Sequence, residues 1–568
     1  MKSRHHPGRL YLVLAVVLLA LGAIGWRIFD IGLRRHSGYA QVAMAQASGS
    51  GNALIRGNVL LAAGAGQVLT VATNRSFGTV MVASTKLDAA RIPELARRLG
   101  DILGNDPDVI EASLRERSDS NRVIARRLTD DQVGRVKALQ IPGVTTGYEI
   151  DRSYPAGMLA ADVVGFLGYS QSGRSGQYGV EASYEQELAG KQGSPGLPLL
   201  GTLGGLFGGG DDAADPIDQP RDVELTIDKN IQAYAERVLA QAVERYRAAS
   251  GTIVIQEPST GRILAMADSP SFDPNSYGSY PIASFLNGAL VPFEPGSSFK
   301  PITMALGLET GKITPQSTFE DTGDVVIDGY TIKNFNEQSF GRVTMSKVLE
   351  KSLNTGVMHV ESLVGNDAFL RFVVDMGFGQ KTGVDLPGES PGSIDNLYSG
   401  RRINFLTASF GQGITVTPIQ LVSAYSAIAN GGKLMRPYVV AAVTNDRGER
   451  VATAPEVAAI PFSVGTASQL RSMLVSVVDN GFDKARIPHY DIAGKTGTAQ
   501  IASPKGGYLE GQYNHSFVGF APASAPRFTI LVRIEKPQGV TFAADSLSPV
   551  FKDIALYLLN YLNVPPTR

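Results

Sequence analysis

Phe293-Glu294-Pro295-Gly296-Ser297-Ser298-Phe299-Lys300-Pro301 is the stretch on which the reading of this 568-residue chain turns. Ser297 and Lys300 form a Ser-x-x-Lys motif, and Lys300 is the only lysine in the sequence with a serine three residues before it. Pro295 and Gly296 break the chain just ahead of Ser297, and residues 302–310 read as a helix closed by Gly311. Ser297 is therefore expected at a helix start, with Lys300 on the same face about one turn later. A serine hydroxyl is a weak nucleophile and needs a base within hydrogen-bond reach. A lysine can be that base only when neutral, a state that burial and the positive end of a helix dipole both favour. The backbone N–H of a residue at a helix start can also face a developing oxyanion. Ser-x-x-Lys arises by chance about once or twice in a chain this long. A surface serine and lysine sharing one turn is the rival reading, and the motif needs companions.

Lys351-Ser352-Leu353-Asn354-Thr355-Gly356 supplies a Ser-x-Asn at the end of a helix-like run, 343–351, in a loop that terminates in glycine. A hydroxyl and an amide two residues apart in such a loop can point the same way, relaying a proton and binding a peptide carbonyl. Polar residues that simply finish a helix are the alternative. A second Ser-x-Asn, Ser50-Gly51-Asn52, falls in a stalk-like stretch and is discounted. Lys-Thr-Gly occurs twice, at Lys381-Thr382-Gly383 among turn residues and at Lys495-Thr496-Gly497 ahead of the terminal strand region. The second can form a sheet edge, which presents backbone N–H and C=O to an extended peptide. There Gly497 lets a substrate backbone come close, and Lys495, Thr496 and Thr498 can hold a carboxylate. Lys495 is read as functional and Lys381 as a turn residue.

The length predicts two or three domains. With 43% hydrophobic and 18% charged residues the chain is globular, and a formal net charge of −1 leaves no electrostatic footprint for nucleic acid. There is no cysteine, which excludes disulfides, thiolate catalysis and Cys-ligated zinc. His5, His6, His36, His359, His489 and His515 show no ligand spacing, so neither metal nor cofactor is expected. A basic tail, 1–9, precedes an apolar run over 10–29 that is about long enough to cross a bilayer as an uncleaved signal anchor. Residues 30–192 read as a non-catalytic α+β pedestal, and 193–222 as a glycine-rich linker. Its glycines, Gly204-Gly205-Leu206-Phe207-Gly208-Gly209-Gly210, lack the Gly-Lys-Ser/Thr of a phosphate-binding loop. From 223 to 568 the texture becomes α/β or α+β. Strands are expected at 223–227, 251–256, 262–267, 517–521 and 528–534, and helices at 229–246 and 549–562. A sheet built from both ends of this domain, with helices inserted between, makes a layered sandwich.

Ser-x-x-Lys, Ser-x-Asn and Lys-Thr-Gly in that order occur together in β-lactamases and penicillin-binding proteins. The surrounding sequence resembles the class B (monofunctional) penicillin-binding proteins, the peptidoglycan D,D-transpeptidases. The resemblance rests on Gly261-Arg262-Ile263-Leu264-Ala265-Met266-Ala267, Pro270-Ser271-Phe272-Asp273-Pro274-Asn275, Ser409-Phe410-Gly411-Gln412-Gly413, Thr417-Pro418-Ile419-Gln420 and Ser516-Phe517-Val518-Gly519-Phe520-Ala521-Pro522. Upstream, Tyr154-Pro155-Ala156-Gly157 and Gly179-Val180-Glu181 look like the family's pedestal. The resemblance implies a five-stranded antiparallel sheet with flanking helices and an all-helical subdomain, behind an elongated pedestal and one transmembrane helix. It implies Ser297 as nucleophile toward the bond between two terminal D-alanines of a stem peptide, Lys300 as base and Ser352 as proton relay. Asn354 would orient the donor, and Lys495, Thr496, Gly497 and Thr498 would form the substrate edge. The N–H groups of Ser297 and Thr498 would make the oxyanion hole. β-Lactams, a SEDS-family glycosyltransferase, division or elongation complex proteins and the cytoplasmic membrane are the implied partners, with the catalytic domain outside the cytoplasm. The sequence departs from the family where Leu60-Leu61-Ala62-Ala63-Gly64-Ala65-Gly66 replaces a charged turn after Arg56-Gly57, and in the linker, which bears on partner coupling. A serine β-lactamase is disfavoured because no Glu-x-x-Leu-Asn lies between Asn354 and Lys495. Within the family the reading leans to septal synthesis; a lateral-wall (elongation) transpeptidase, a D,D-carboxypeptidase, a sensor and a scaffold of a wall-synthesis complex are the remaining alternatives.

Overall fold

The computed structural model describes residues 55–190 and 219–568, apart from 65, 117–120, 171–172, 328, 335–336, 482 and 504–506. The expected tail, anchor and stalk, and most of the linker, lie outside the described residues. Among those described, no helix is long and apolar enough to cross a membrane. The described chain packs as two units, one formed by Asn74–Ser153 and the other by Arg56–Thr73 with Tyr154–Arg568.

In the smaller unit, the second half of the strand Val68–Val82 pairs with Arg122–Leu128 and with Val144–Ser153. The helices Ile92–Leu103, Pro107–Arg115 and Asp130–Ala138 pack their apolar stripes together, burying Leu95, Leu99, Ile110, Leu114, Val133 and Val136. Thr129 and Gln132 close a reciprocal capping box on the last of these.

The larger unit is organised by one five-stranded antiparallel sheet. Its strands are β1 (Ser250–Gln256), β2 (Ile263–Ser269), β3 (Ala493–Ala502), β4 (Tyr508–Ala521) and β5 (Phe528–Glu535), in the order β3-β4-β5-β1-β2. The central strands read as nearly continuous apolar runs because both faces are covered. Ile253, Ile255, Ile530 and Val532 point to one core, shared with the helices α1 (Lys229–Arg245) and α4 (Ala543–Tyr561). Val254, Leu531 and Val518, offset by one position, join the opposite core with α2 (Lys300–Glu309), α3 (Asn354–Val364) and Pro418–Ala429. Two sequence expectations shift here. The last helix opens at Ala543, earlier than 549, because Ala543, Leu547, Val550 and Phe551 already supply its buried face and Pro549 is tolerated inside it. The strand Asp222–Asp228 forms as expected, but it lies in a second sheet, parallel to Val59–Ala62 and antiparallel to Val440–Thr444.

The subdomain inserted between β2 and β3 is not all-helical. Thr318–Asp321 pairs with Gly341–Thr344, and Asp324–Ile327 with Tyr330–Lys333. These four-residue segments are rich in Val, Thr, Ile and Tyr and turn at Gly323 and Gly329, both with positive φ. Residues upstream of the linker also help build this unit. The guanidinium of Arg56 is buried against Glu181 at 2.9 Å and Glu185 at 2.9 Å, and Gly57 N donates to Leu188 O.

Candidate active site

Ser297 stands in a tight turn, Gly296–Phe299, that runs directly into α2. Gly296 has φ +55°, a conformation open to glycine, and its N–H donates to Gly411 O at 3.0 Å. A Cβ on Gly411 would lie 2.3 Å from Gly296 O, so the two backbones touch with no room for a side chain. Ser298 Oγ donates to Pro295 O at 2.6 Å, and the buried Tyr425 hydroxyl donates to Ser298 O at 2.7 Å. The backbone around Ser297 is thus held from several sides, while Ser297 itself is half-buried and its Oγ makes no hydrogen bond among the described residues. Tyr425 carried no signal in the sequence, and Gly411 stood out only as part of the Ser409-Phe410-Gly411-Gln412-Gly413 segment that carries the family resemblance.

Lys300 opens α2 and is completely buried. Its Nζ donates to the carbonyl of Ser352 and, at 3.2 Å, to Ser352 Oγ. Lys495, equally buried, donates from Nζ to the same Oγ at 3.0 Å and to Thr496 O at 3.2 Å. One hydroxyl therefore bridges two interior lysines. Two ammonium groups sharing a single oxygen in a low-dielectric site would repel each other and lose their hydration. Burial, reinforced by the neighbouring Lys495, holds Lys300 well below the usual lysine range, and burial brings Lys495 down to about 7. Lys300 also sits at the positive end of α2, which adds in the same direction. A neutral amine at Lys300 is what a general base requires.

Ser352 reaches both lysines from a left-handed backbone, φ +56°, which costs a non-glycine residue roughly 1–2 kcal/mol. That reversal corrects the expected loop. After Ser352 the chain extends through Leu353 and immediately starts α3, so Asn354 is the first helical residue and not part of a glycine-terminated loop. Asn354 Nδ2 donates to Lys333 O at 2.9 Å, leaving its side-chain oxygen as an acceptor.

β3 is the edge strand of the sheet, with Lys495 opposite Val518, Thr496 opposite Phe517, Gly497 opposite Ser516 and Thr498 opposite His515. An edge has one row of backbone groups unpaired and can receive an extended peptide. At Gly497 a Cβ would meet Ser516 Oγ at 2.4 Å and Pro295 O at 2.7 Å, so glycine allows the edge to press against the turn that carries Ser297. Thr498 Oγ1 accepts from Ala543 N at 3.2 Å at the start of α4, and its O–H remains available to donate. Lys381, by contrast, is exposed on a loop. There the Glu389 carboxylate accepts from Thr382 N, Thr382 Oγ1 and Gly383 N at 2.6–3.1 Å. All of Ser297, Lys300, Ser352, Asn354 and Lys495–Thr498 belong to the larger unit.

A turn-borne serine, two interior lysines bridged by a second serine, and a Lys-Thr-Gly edge strand together make an arrangement able to support serine acyl transfer. The penicillin-binding protein transpeptidase domain family matches residues 251–556, and the penicillin-binding protein dimerisation domain family matches 55–196. Stage V sporulation protein D of Bacillus subtilis is 31% identical over 88% of this chain and 77% of its own length. Penicillin-binding protein PbpB of Mycobacterium tuberculosis is 30% identical over 99% of this chain and 85% of its own. Among solved structures, penicillin-binding protein 3 of M. tuberculosis complexed with aztreonam aligns with a TM-score of 0.65 and 30% identity, covering 74% of this chain and 92% of that one. The chain belongs to the class B penicillin-binding proteins and is a serine-type D-Ala-D-Ala transpeptidase of peptidoglycan.

Proposed function

We propose that this transpeptidase works through a Ser297 acyl-enzyme in septal wall synthesis, at the extracytoplasmic face of the cytoplasmic membrane, and that β-lactams acylate the same serine. The observation that carries the reading is the bridge of Ser352 between Lys300 and Lys495, both buried and both depressed. Ser297 Oγ attacks the carbonyl carbon between the two terminal D-alanines as Lys300 Nζ takes its proton. The N–H groups of Ser297 and Thr498 receive the oxyanion. Collapse breaks the C–N bond, and the proton passes from Lys300 through Ser352 to the departing D-alanine amine. An acceptor amine then attacks the ester, gives up a proton along the same path, and regenerates Ser297 with a new peptide bond. Asn354 orients the donor amide, while Lys495, Thr496 and Thr498 hold the terminal carboxylate along the β3 edge, with Gly497 giving its backbone room. Penicillin-binding protein 3 complexed with aztreonam supports the β-lactam assignment by likeness. A membrane anchor over 10–29 and a SEDS-family polymerase as partner fit the same role.

The test is product analysis with the full chain in detergent, a peptide ending in D-Ala-D-Ala and an amine acceptor. D-Alanine release coupled to an aminolysis product, lost in Ser297→Ala, is expected. Release with hydrolysis alone would favour a carboxypeptidase, and no release would leave a scaffold. Septal or lateral-wall placement is decided by where a fluorescent fusion accumulates.

A further inference from the structure

Behind the Ser352-Leu353-Asn354 corner lies a buried polar clamp that none of the motifs includes. Asp321 ends the short strand Thr318–Asp321 and is 1% exposed. Its Oδ1 accepts from Thr355 Oγ1 at 2.7 Å, from Asn334 Nδ2 at 2.8 Å and from Gly323 N at 3.2 Å. Its Oδ2 accepts from Phe340 N at 2.9 Å. Asn334 Oδ1 in turn accepts from Thr355 N at 3.2 Å, and the neighbouring Lys333 O takes the Asn354 amide. Asn334 and Thr355 are buried as well. Both hairpins of the inserted arm are thereby fastened to the first turn of α3.

We infer that Asp321 is a positioning residue for transpeptidation, fixing Ser352 and Asn354 through Thr355 and Asn334; this rests on the roles proposed above for Ser352 and Asn354. Ser352 holds a left-handed backbone that persists only while its surroundings over-determine it. On its N-terminal side the restraints are Ser352 N to Leu349 O and Leu353 N to Val348 O. On its C-terminal side they include the bonds that Thr355 and Asn354 make to the arm. Charge-assisted bonds to a buried carboxylate are the strong members of this set. Loosening them frees the first turn of α3 and lets Ser352 relax toward an ordinary negative φ, which withdraws its carbonyl and hydroxyl from Lys300. The arm is then part of the catalytic apparatus and not merely a surface insertion.

The experiment compares full-length native protein, Asp321→Asn, Thr355→Val and Thr355→Ser in detergent, following acylation by a chromogenic cephalosporin. Two quantities are read separately, the amplitude (fraction of protein acylated) and the second-order rate constant. Misplacement of a reacting group by about 1 Å is worth about a hundredfold in rate. The expected result is near-native amplitude with a rate constant lowered about tenfold or more in Asp321→Asn and Thr355→Val, rescue in Thr355→Ser, and no further loss when Asp321→Asn and Thr355→Val are combined in one chain. A purely structural role predicts the reverse pattern, a reduced amplitude with the native rate constant, and would overturn the inference. So would native rates in Thr355→Val, which decides the matter if Asp321→Asn does not fold. If the native protein itself is not acylated, the underlying reading falls and this inference falls with it.

Discussion

Replacing Ser352 by alanine and, separately, by glycine separates its hydroxyl from its backbone. Both changes delete the oxygen that bridges Lys300 and Lys495. Lys300 keeps the residue-352 carbonyl as an acceptor, and Lys495 keeps Thr496 O among its partners. Each change therefore costs about 1–3 kcal/mol for weakened hydrogen bonding of buried donors. The two variants differ in strain. Alanine at φ +56° keeps the left-handed penalty of roughly 1–2 kcal/mol, whereas glycine loses it and gives back part through greater freedom in the unfolded chain. The glycine variant is expected to be more stable than the alanine variant by about 1 kcal/mol. Chemistry should not follow stability. Removing a proton relay costs about 10²–10⁴ in rate, so both variants should be acylated by penicillin at similarly depressed rates while glycine melts higher. Stopped-flow acylation and thermal melting of the detergent-solubilised protein provide the two readouts. Rates within about threefold of native in both variants would refute the relay, because proximity and general acid–base work carry far larger factors. Recovery of the rate in glycine alone would show that the backbone of residue 352 matters and its hydroxyl does not.

With the role proposed for Lys495, kcat/KM with a D-Ala-D-Ala peptide should fall as pH rises through about 7, where burial makes Lys495 lose its charge. Lys495→Arg should move the alkaline limb upward, since guanidinium stays charged. Stability carries the same signature: with Lys495 at about 7 folded and 10.5 unfolded, the unfolded chain binds more protons across that window, so its contribution makes the protein more stable as pH rises through it. Gly497→Val should slow acylation by about tenfold or more, read by stopped flow, because its Cβ would lie 2.4 Å from Ser516 Oγ and 2.7 Å from Pro295 O. Lys381→Ala, on the exposed second Lys-Thr-Gly, should be acylated within about twofold of native, as expected for a surface change away from the site.

The sheet was legible because strands such as Ser250–Gln256 and Phe528–Glu535 are apolar runs bounded by turn residues, and α1 because Asp228 caps an amphipathic run. Ser297 and Lys300 were legible because local chain breaks place a three-residue spacing on one turn. What escaped is what sequence separation hides. The bridge from Lys300 to Ser352 to Lys495 joins positions 52 and 143 apart, and the Thr498 contact with Ala543 spans 45. Asn354 was misplaced because the preceding reversal depends on a left-handed serine, where glycine would have been the readable signal. The inserted hairpins escaped because each strand is four residues long and largely solvent-facing, too short for alternation to register.

The most direct test is the intact mass of the full-length protein after incubation with a penicillin, for native and Ser297→Ala. A stoichiometric adduct on native protein alone, persisting for many minutes, is the predicted result, and it places the acyl group on Ser297 in an enzyme that does not shed it as a β-lactamase would. An equal adduct on Ser297→Ala, or none on folded native protein, would contradict the account.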